Sequence, residues 1–135
     1  MTRVWERLWL GSLRDAEELA DANPNRITTV ISLCEACVTA KRQGVRYVHI
    51  PIEDAEPVSI LKFDAIINAI AQNARRGTVF VHCGEGVSRA PSLTAAYMHS
   101  VGYRKIDSAL AEIKRLRPIT NPSKTLFDSV KEHLR

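Results

Sequence analysis

Thr78-Val79-Phe80-Val81-His82-Cys83-Gly84-Glu85-Gly86-Val87-Ser88-Arg89 joins a short apolar run to a glycine-bearing turn that closes on an arginine. Thr78 to Val81 has the composition of a strand buried on both faces. Pro91 suits the first turn of a helix, where its missing N–H has no partner to lose, so a helix is expected from about Arg89 to Ser100 with Gly102 at its exit. In open α/β sheets ligands bind beyond the carboxyl ends of the strands, which is where Cys83 falls. The backbone amides of Gly84, Glu85, Gly86, Val87, Ser88 and Arg89 can curl around a tetrahedral oxyanion, with the helix N-terminus adding partial positive charge. Gly84 and Gly86 supply the backbone freedom this needs, and the Arg89 guanidinium can hold two phosphate oxygens at once. The same field favours a thiolate, which makes Cys83 the candidate nucleophile.

Strands and helices alternate outward from this unit. Val4 to Leu10 reads as one strand stopped by Gly11-Ser12, and Asp15 to Ala22 as a short helix closed by Asn23-Pro24. Ile27 to Leu33 and Val45 to Ile50 suit buried strands. From Ser59 the apolar positions Ile60, Phe63, Ile66, Ile67 and Ile70 mark one face of a helix that Gly77 ends. Two more helices are expected at Ile106 to Arg115 and Ser123 to His133, parted by Pro118 and Asn121-Pro122. The pattern implies an α/β three-layer sandwich with a central, mostly parallel sheet of four to five strands, in a single domain over residues 1–135.

Composition bounds the function. The chain of 135 residues is 45% hydrophobic and 25% charged, the balance of an ordinary globular domain. No run reaches the roughly 18 to 20 apolar residues of a membrane span, and the opening residues lack a signal-peptide core; a cytoplasmic location is expected. The net charge of +4 is carried largely by Arg75, Arg76, Lys114, Arg115, Arg117 and Lys131, read as solvated helix surface. No basic run with interleaved aromatics points to nucleic acid. Three cysteines are too few and too odd in number for a disulfide framework. Cys34-Glu35-Ala36-Cys37 is a C-x-x-C without the second pair of ligands that zinc needs, so no metal or organic cofactor is expected.

A thiolate that displaces phosphate from an ester leaves an alkoxide or phenoxide, so the reaction needs an acid, then a base for the water that frees the enzyme. Asp54, in Pro51-Ile52-Glu53-Asp54, is the candidate, with Glu53 and Glu56 as spares. His82-Cys83, five residues and Arg89 resemble the signature of cysteine-dependent protein tyrosine phosphatases, and Gly86-Val87-Ser88-Arg89 is similar to that of their small dual-specificity branch. Leu8-Trp9-Leu10-Gly11-Ser12, Ile27 to Leu33, Ile50-Pro51-Ile52-Glu53-Asp54, Ala95-Ala96-Tyr97-Met98 and Asn121-Pro122 resemble further segments of that branch, in order. The resemblance implies Cys83 as nucleophile, Arg89 as phosphate clamp, Asp54 as acid then base, and His82 in support of the loop. It implies hydrolysis of phosphotyrosine in phosphoproteins, with phosphoserine and phosphothreonine as further substrates, through a cysteinyl-phosphate; a monomer is expected.

Two departures stand out. Ala90 occupies the position where the family usually has Ser or Thr, whose hydroxyl stabilises the departing thiolate; slower breakdown of the phosphoenzyme is expected. Glu85 puts a carboxylate in the phosphate loop and favours a singly phosphorylated substrate. Several relatives carry a cysteine at the end of the strand equivalent to Ile27–Leu33 that bridges to the nucleophile on oxidation, which makes Cys34 a candidate redox partner, with Cys37 the alternative. Two rivals remain: a phosphate-binding module without turnover, and a sulfurtransferase, against which His82, Arg89 and Asp54 weigh.

Overall fold

The computed structural model describes residues 1–103 and 105–134. Its elements in chain order are strands β1 (Thr2–Trp5) and β2 (Leu8–Gly11), helix α1 (Leu13–Glu18), and strands β3 (Ile27–Ser32) and β4 (Arg46–His49). Helix α2 (Ile60–Ala74), strand β5 (Thr78–His82) and helices α3 (Arg89–Val101), α4 (Ile106–Leu116) and α5 (Lys124–His133) follow. The sheet runs β1-β2-β5-β3-β4, with β2, β5, β3 and β4 parallel and β1 antiparallel at the edge. The strand that ends in the cysteine is therefore central, as its unbroken apolar run requires.

The expected opening strand is two strands. Arg7 adopts a left-handed φ of 59°, the chain reverses there, and Thr2 pairs with Leu10. Apolar alternation passes through such a tight turn unchanged, so Val4, Leu8 and Leu10 look like one strand in the sequence while belonging to a hairpin. The Arg7 carbonyl accepts from the Val79 amide at 2.8 Å, which fastens the turn to β5. Other boundaries move by a few residues. Ser59 and Ser123 stand outside their helices as N-caps, accepting from the amides of Lys62 and Leu126. The helix expected to reach Ala22 stops at Glu18.

Both faces of the sheet are covered. Val79 and Val81 face a large cluster built with Phe63, Ile66 and Ile70 of α2, Leu93 of α3 and Ile113 of α4. Phe80 points the other way, into a smaller cluster with Ala16 and Leu19, Ile27 and Val30. Helix α3 is buried from Ala90 through Met98, because α2, α4 and α5 all pack around it. A helix buried on every side is held in position as well as in orientation. That fixes where its N-terminus, at Arg89, meets the end of β5. Among the described residues, no helix is long and apolar enough to cross a membrane.

Candidate active site

Cys83 lies at the carboxyl end of β5 and is 2% exposed. The loop from Gly84 to Ser88 is held by its carbonyls, each of which accepts from a donor outside the loop. Gly84 O takes the Leu13 amide at 2.9 Å, and Val87 O takes the Asn121 amide at 2.9 Å. Glu85 O and Gly86 O take Nη2 and Nε of Arg117 at 3.2 and 2.9 Å. Ser88 O accepts from the Ser92 amide and hydroxyl, inside the first turn of α3. In a trans peptide the N–H points opposite to the C=O, so carbonyls committed outward leave the amides of Glu85 to Arg89 on the other side. This is the converging set of donors a phosphoryl group needs. Gly86 has φ +70°, and a Cβ there would sit 2.6 Å from the Gly11 carbonyl oxygen, so the close approach is open to glycine alone.

The Ala90 amide donates to the Cys83 sulfur at 3.4 Å. With no hydroxyl at this position, the backbone amide of the α3 N-terminus is the donor that meets the sulfur. His82 is fully buried, and burial pushes its imidazole below the ordinary value of 6.5. Its Nδ1–H donates to the Cys83 carbonyl at 3.1 Å, leaving Nε2 to accept from the Ser32 hydroxyl at 2.6 Å. A neutral imidazole locked at both nitrogens orders the start of the loop.

Arg89 is tethered at one end. Its Nη1 donates to both Glu35 carboxylate oxygens at 3.2 and 3.3 Å and to the Ile52 carbonyl at 3.2 Å. Nε and Nη2 form the other edge of the fork, the geometry that receives two oxygens of one anion. The backbone amide of Glu35, and then Arg89, hold the Glu35 carboxyl below the usual range. Nothing in the sequence marks Glu35, which sits with Ala36 between two cysteines that draw the eye to metal or redox chemistry.

An open cleft of about 550 Å³ is lined by Asp54, Cys83, Glu85, Ser88, Arg89 and Asn121, among others. The structure thus brings Asp54 to the same cleft as the cysteine, at an exposed loop where Ala55 takes φ 60° and donates its amide to Asp54 Oδ1 at 3.0 Å. Of the spares, Glu53 lines a neighbouring hollow beside Lys62, and Glu56 is exposed. The two thiols of the C-x-x-C diverge. Cys34 is buried, donates to the Ala36 carbonyl, and is pushed up by burial against the pull of Arg89. Cys37 is exposed, 3.5 Å from His49 Nδ1.

The family model of the dual specificity phosphatase catalytic domain matches residues 8–135. Dual specificity protein phosphatase 15 of Homo sapiens is 36% identical over 121 residues, covering 86% of this chain and 40% of that protein. Dual specificity protein phosphatase 18 of Rattus norvegicus is 27% identical over 133 residues, 96% of this chain and 65% of that protein. The chain spans only 40 to 53% of the length of the mammalian phosphatase 15 sequences it matches. The crystal structure of DUSP15 superposes with a TM-score of 0.87 at 34% identity, covering 98% of this chain and 85% of that one. The human tyrosine phosphatase-like serine/threonine/tyrosine-interacting protein shares the fold, with a TM-score of 0.84 at 24% identity over 99% of this chain and 95% of that one.

Proposed function

The chain belongs to the dual specificity phosphatase catalytic-domain family, and from that premise we propose that it hydrolyses phosphotyrosine in phosphoproteins, with phosphoserine and phosphothreonine as further substrates, through a cysteinyl-phosphate. The observation that carries the reading is the amide-lined loop around Cys83, closed by an arginine already tethered at Nη1. Cys83 attacks phosphorus while the loop amides and the Nε/Nη2 edge of Arg89 hold the three remaining oxygens as they spread towards a plane. Asp54 gives its proton to the departing ester oxygen, then takes one from the water that attacks the cysteinyl-phosphate and restores the thiolate. Gly84, Glu85, Gly86, Val87 and Ser88 bind the phosphoryl group, His82 orders the loop, and residues 1–135 act as one catalytic domain. The exposed Glu85 on the cleft wall opposes a second phosphate on the same substrate. The test is phosphate release from matched phosphotyrosine and phosphothreonine peptides without added metal, by the wild type beside Cys83→Ser.

Ala90 bears on the second half of the cycle. A hydroxyl at position 90 would add a second donor to the sulfur now met by the Ala90 amide. If thiolate departure limits turnover, Ala90→Ser raises the steady-state rate by roughly tenfold and shrinks the initial burst of leaving group, because breakdown then keeps pace with formation of the covalent intermediate. Stopped-flow traces with an aryl phosphate report both quantities, and unchanged burst and turnover would sink the idea.

Cys34 is proposed as the redox partner of Cys83, since both are buried and both follow the carboxyl ends of adjacent parallel strands, where Ser32 of β3 pairs with His82 of β5. Hydrogen peroxide converts the Cys83 thiolate to a sulfenic acid; Cys34 sulfur then displaces hydroxide from it, which leaves as water, and a Cys34–Cys83 disulfide results. Peptide mapping after one equivalent of peroxide is expected to find that bridge. Unlinked sulfinic acid on Cys83 as the sole product would exclude it.

A further inference from the structure

Arg117 belongs to the basic residues that the sequence presents as helix surface, yet its half-buried side chain is spent on the phosphate loop and β1. It is the C-cap of α4, with φ −132° and ψ 84° outside the helical region, and the chain leaves the helix there towards the phosphate loop. Each terminal group of its guanidinium has its own acceptor. Nε donates to Gly86 O at 2.9 Å, Nη2 to Glu85 O at 3.2 Å, and Nη1 to the Thr2 hydroxyl on β1 at 2.9 Å. Behind Gly86 there is no spare room, because a Cβ at that residue would lie 2.7 Å from Arg117 Nη2.

Two consequences follow from elementary chemistry. Peptide planarity couples each carbonyl to the next amide, so fixing Glu85 O and Gly86 O also fixes the N–H vectors of Gly86 and Val87. A fixed cation on the carbonyl side of those two dipoles also raises the positive potential on the amide side, where an oxyanion would sit. Loop conformation and loop potential thus depend on one side chain that touches neither the sulfur nor the cleft. Leu13 and Asn121 hold the neighbouring carbonyls through backbone amides, which any residue but proline would supply. The middle of the loop is held by a side chain, and only a planar fork with separate donors can serve two carbonyls and the β1 hydroxyl together.

We infer that Arg117 is a positioning residue for oxyanion binding, setting the amides of Gly86 and Val87 from behind the loop. The inference rests on the reading of the cleft as a phosphoryl site, but it is tested first by binding and so can be judged apart from turnover. Tungstate affinity is measured by calorimetry for the wild type, Arg117→Lys and Arg117→Ala, with the melting temperature of each and kcat and KM on an aryl phosphate. Lysine keeps the charge but offers a single nitrogen, so Arg117→Lys is expected to fold, and to bind tungstate at least about tenfold more weakly. For Arg117→Ala, kcat/KM is expected to fall on the order of 100-fold, the scale of a misplacement of about 1 Å at a reacting centre, and millimolar ethylguanidinium is expected to restore part of it. A wholly structural arginine would lower the melting temperature without a loss of oxyanion affinity in the folded fraction and without rescue.

Tungstate affinity and kcat/KM within twofold of wild type in Arg117→Lys would overturn the inference, as would a folded Arg117→Ala that binds tungstate normally. If Arg117→Ala does not fold, the lysine variant decides alone. A wild type that binds no tungstate overturns the inference as well. A wild type that binds tungstate but releases no phosphate defeats the hydrolase reading only, and the binding series still decides the part played by Arg117.

Discussion

Replacing Cys83 by serine ends phosphate release from phosphotyrosine and phosphothreonine peptides, a loss on the order of 10⁴-fold or more, while tungstate still binds. The size follows from what the site supplies. On the proposed scheme its amides and Arg89 stabilise an anion at the end of β5, and sulfur forms that anion far more readily than a serine oxygen does. His82, the imidazole beside it in the sequence, does not activate the oxygen, because it spends both nitrogens on the Cys83 carbonyl and Ser32. Ser88, which also lines the cleft, accepts the Ser123 amide at 2.8 Å and so serves to hold the loop. Release that persists in the variant at more than about a hundredth of the wild-type rate would mean that another group attacks phosphorus, and the covalent scheme would fail. Peptide bound by the wild type without release would favour the phosphate-binding module, with Ala90 as the first suspect. In the active case the ratio of phosphotyrosine to phosphothreonine turnover reports the depth of the cleft, since a phenyl ring reaches further than a threonine side chain.

The parts of this site that could be read from the chain are those whose geometry is local. Cys83, the five-residue loop and Arg89 are neighbours in sequence, and a strand leading into a proline-marked helix leaves little freedom in how they meet. What holds them in place is not local. Glu35 reaches Arg89 across 54 residues, Ser32 reaches His82 across 50, and Arg117 reaches Gly86 across 31. Each contact arises because parallel strands share one carboxyl end, or because α4 delivers its last turn to the loop. Apolar periodicity assigns residues to a face; it does not say which polar residue at one element's end meets which carbonyl at another's. Arg117 shows the limit well, since a cation after a helical pattern reads as surface until the chain leaving the helix is seen to turn inward. The β1–β2 hairpin was hidden for a related reason, as Glu6-Arg7 carries no glycine or asparagine to mark a turn, and the left-handed conformation falls on an arginine.

Asp54→Asn lowers the rate of cysteinyl-phosphate formation from phosphothreonine peptides by about 10² to 10⁴-fold, the range for loss of a positioned general acid, and lowers it far less from an aryl phosphate with an acidic leaving group. The asparagine side-chain oxygen can keep the bond from the Ala55 amide that Asp54 Oδ1 now accepts, so the loop and its left-handed Ala55 need not change. What is removed is the proton. A threonine alkoxide is a poor leaving group and depends on protonation as the P–O bond breaks, whereas a nitrophenolate leaves without help. The ratio of the two losses therefore separates chemistry from binding: a damaged cleft would depress both substrates together, while a missing acid discriminates between them. The burst moves as well. With an aryl phosphate the variant still forms the cysteinyl-phosphate, but water attack then lacks its base, so the intermediate accumulates and the burst becomes larger relative to turnover. Glu53→Gln and Glu56→Gln, which alter carboxylates outside the cleft lining around Cys83, are expected to stay within about threefold of wild type on both substrates, as exposed changes remote from the reacting atoms do. Equal losses on both substrates in Asp54→Asn, or a selective loss in Glu53→Gln, would move the acid away from Asp54 to a neighbouring carboxylate on the same loop.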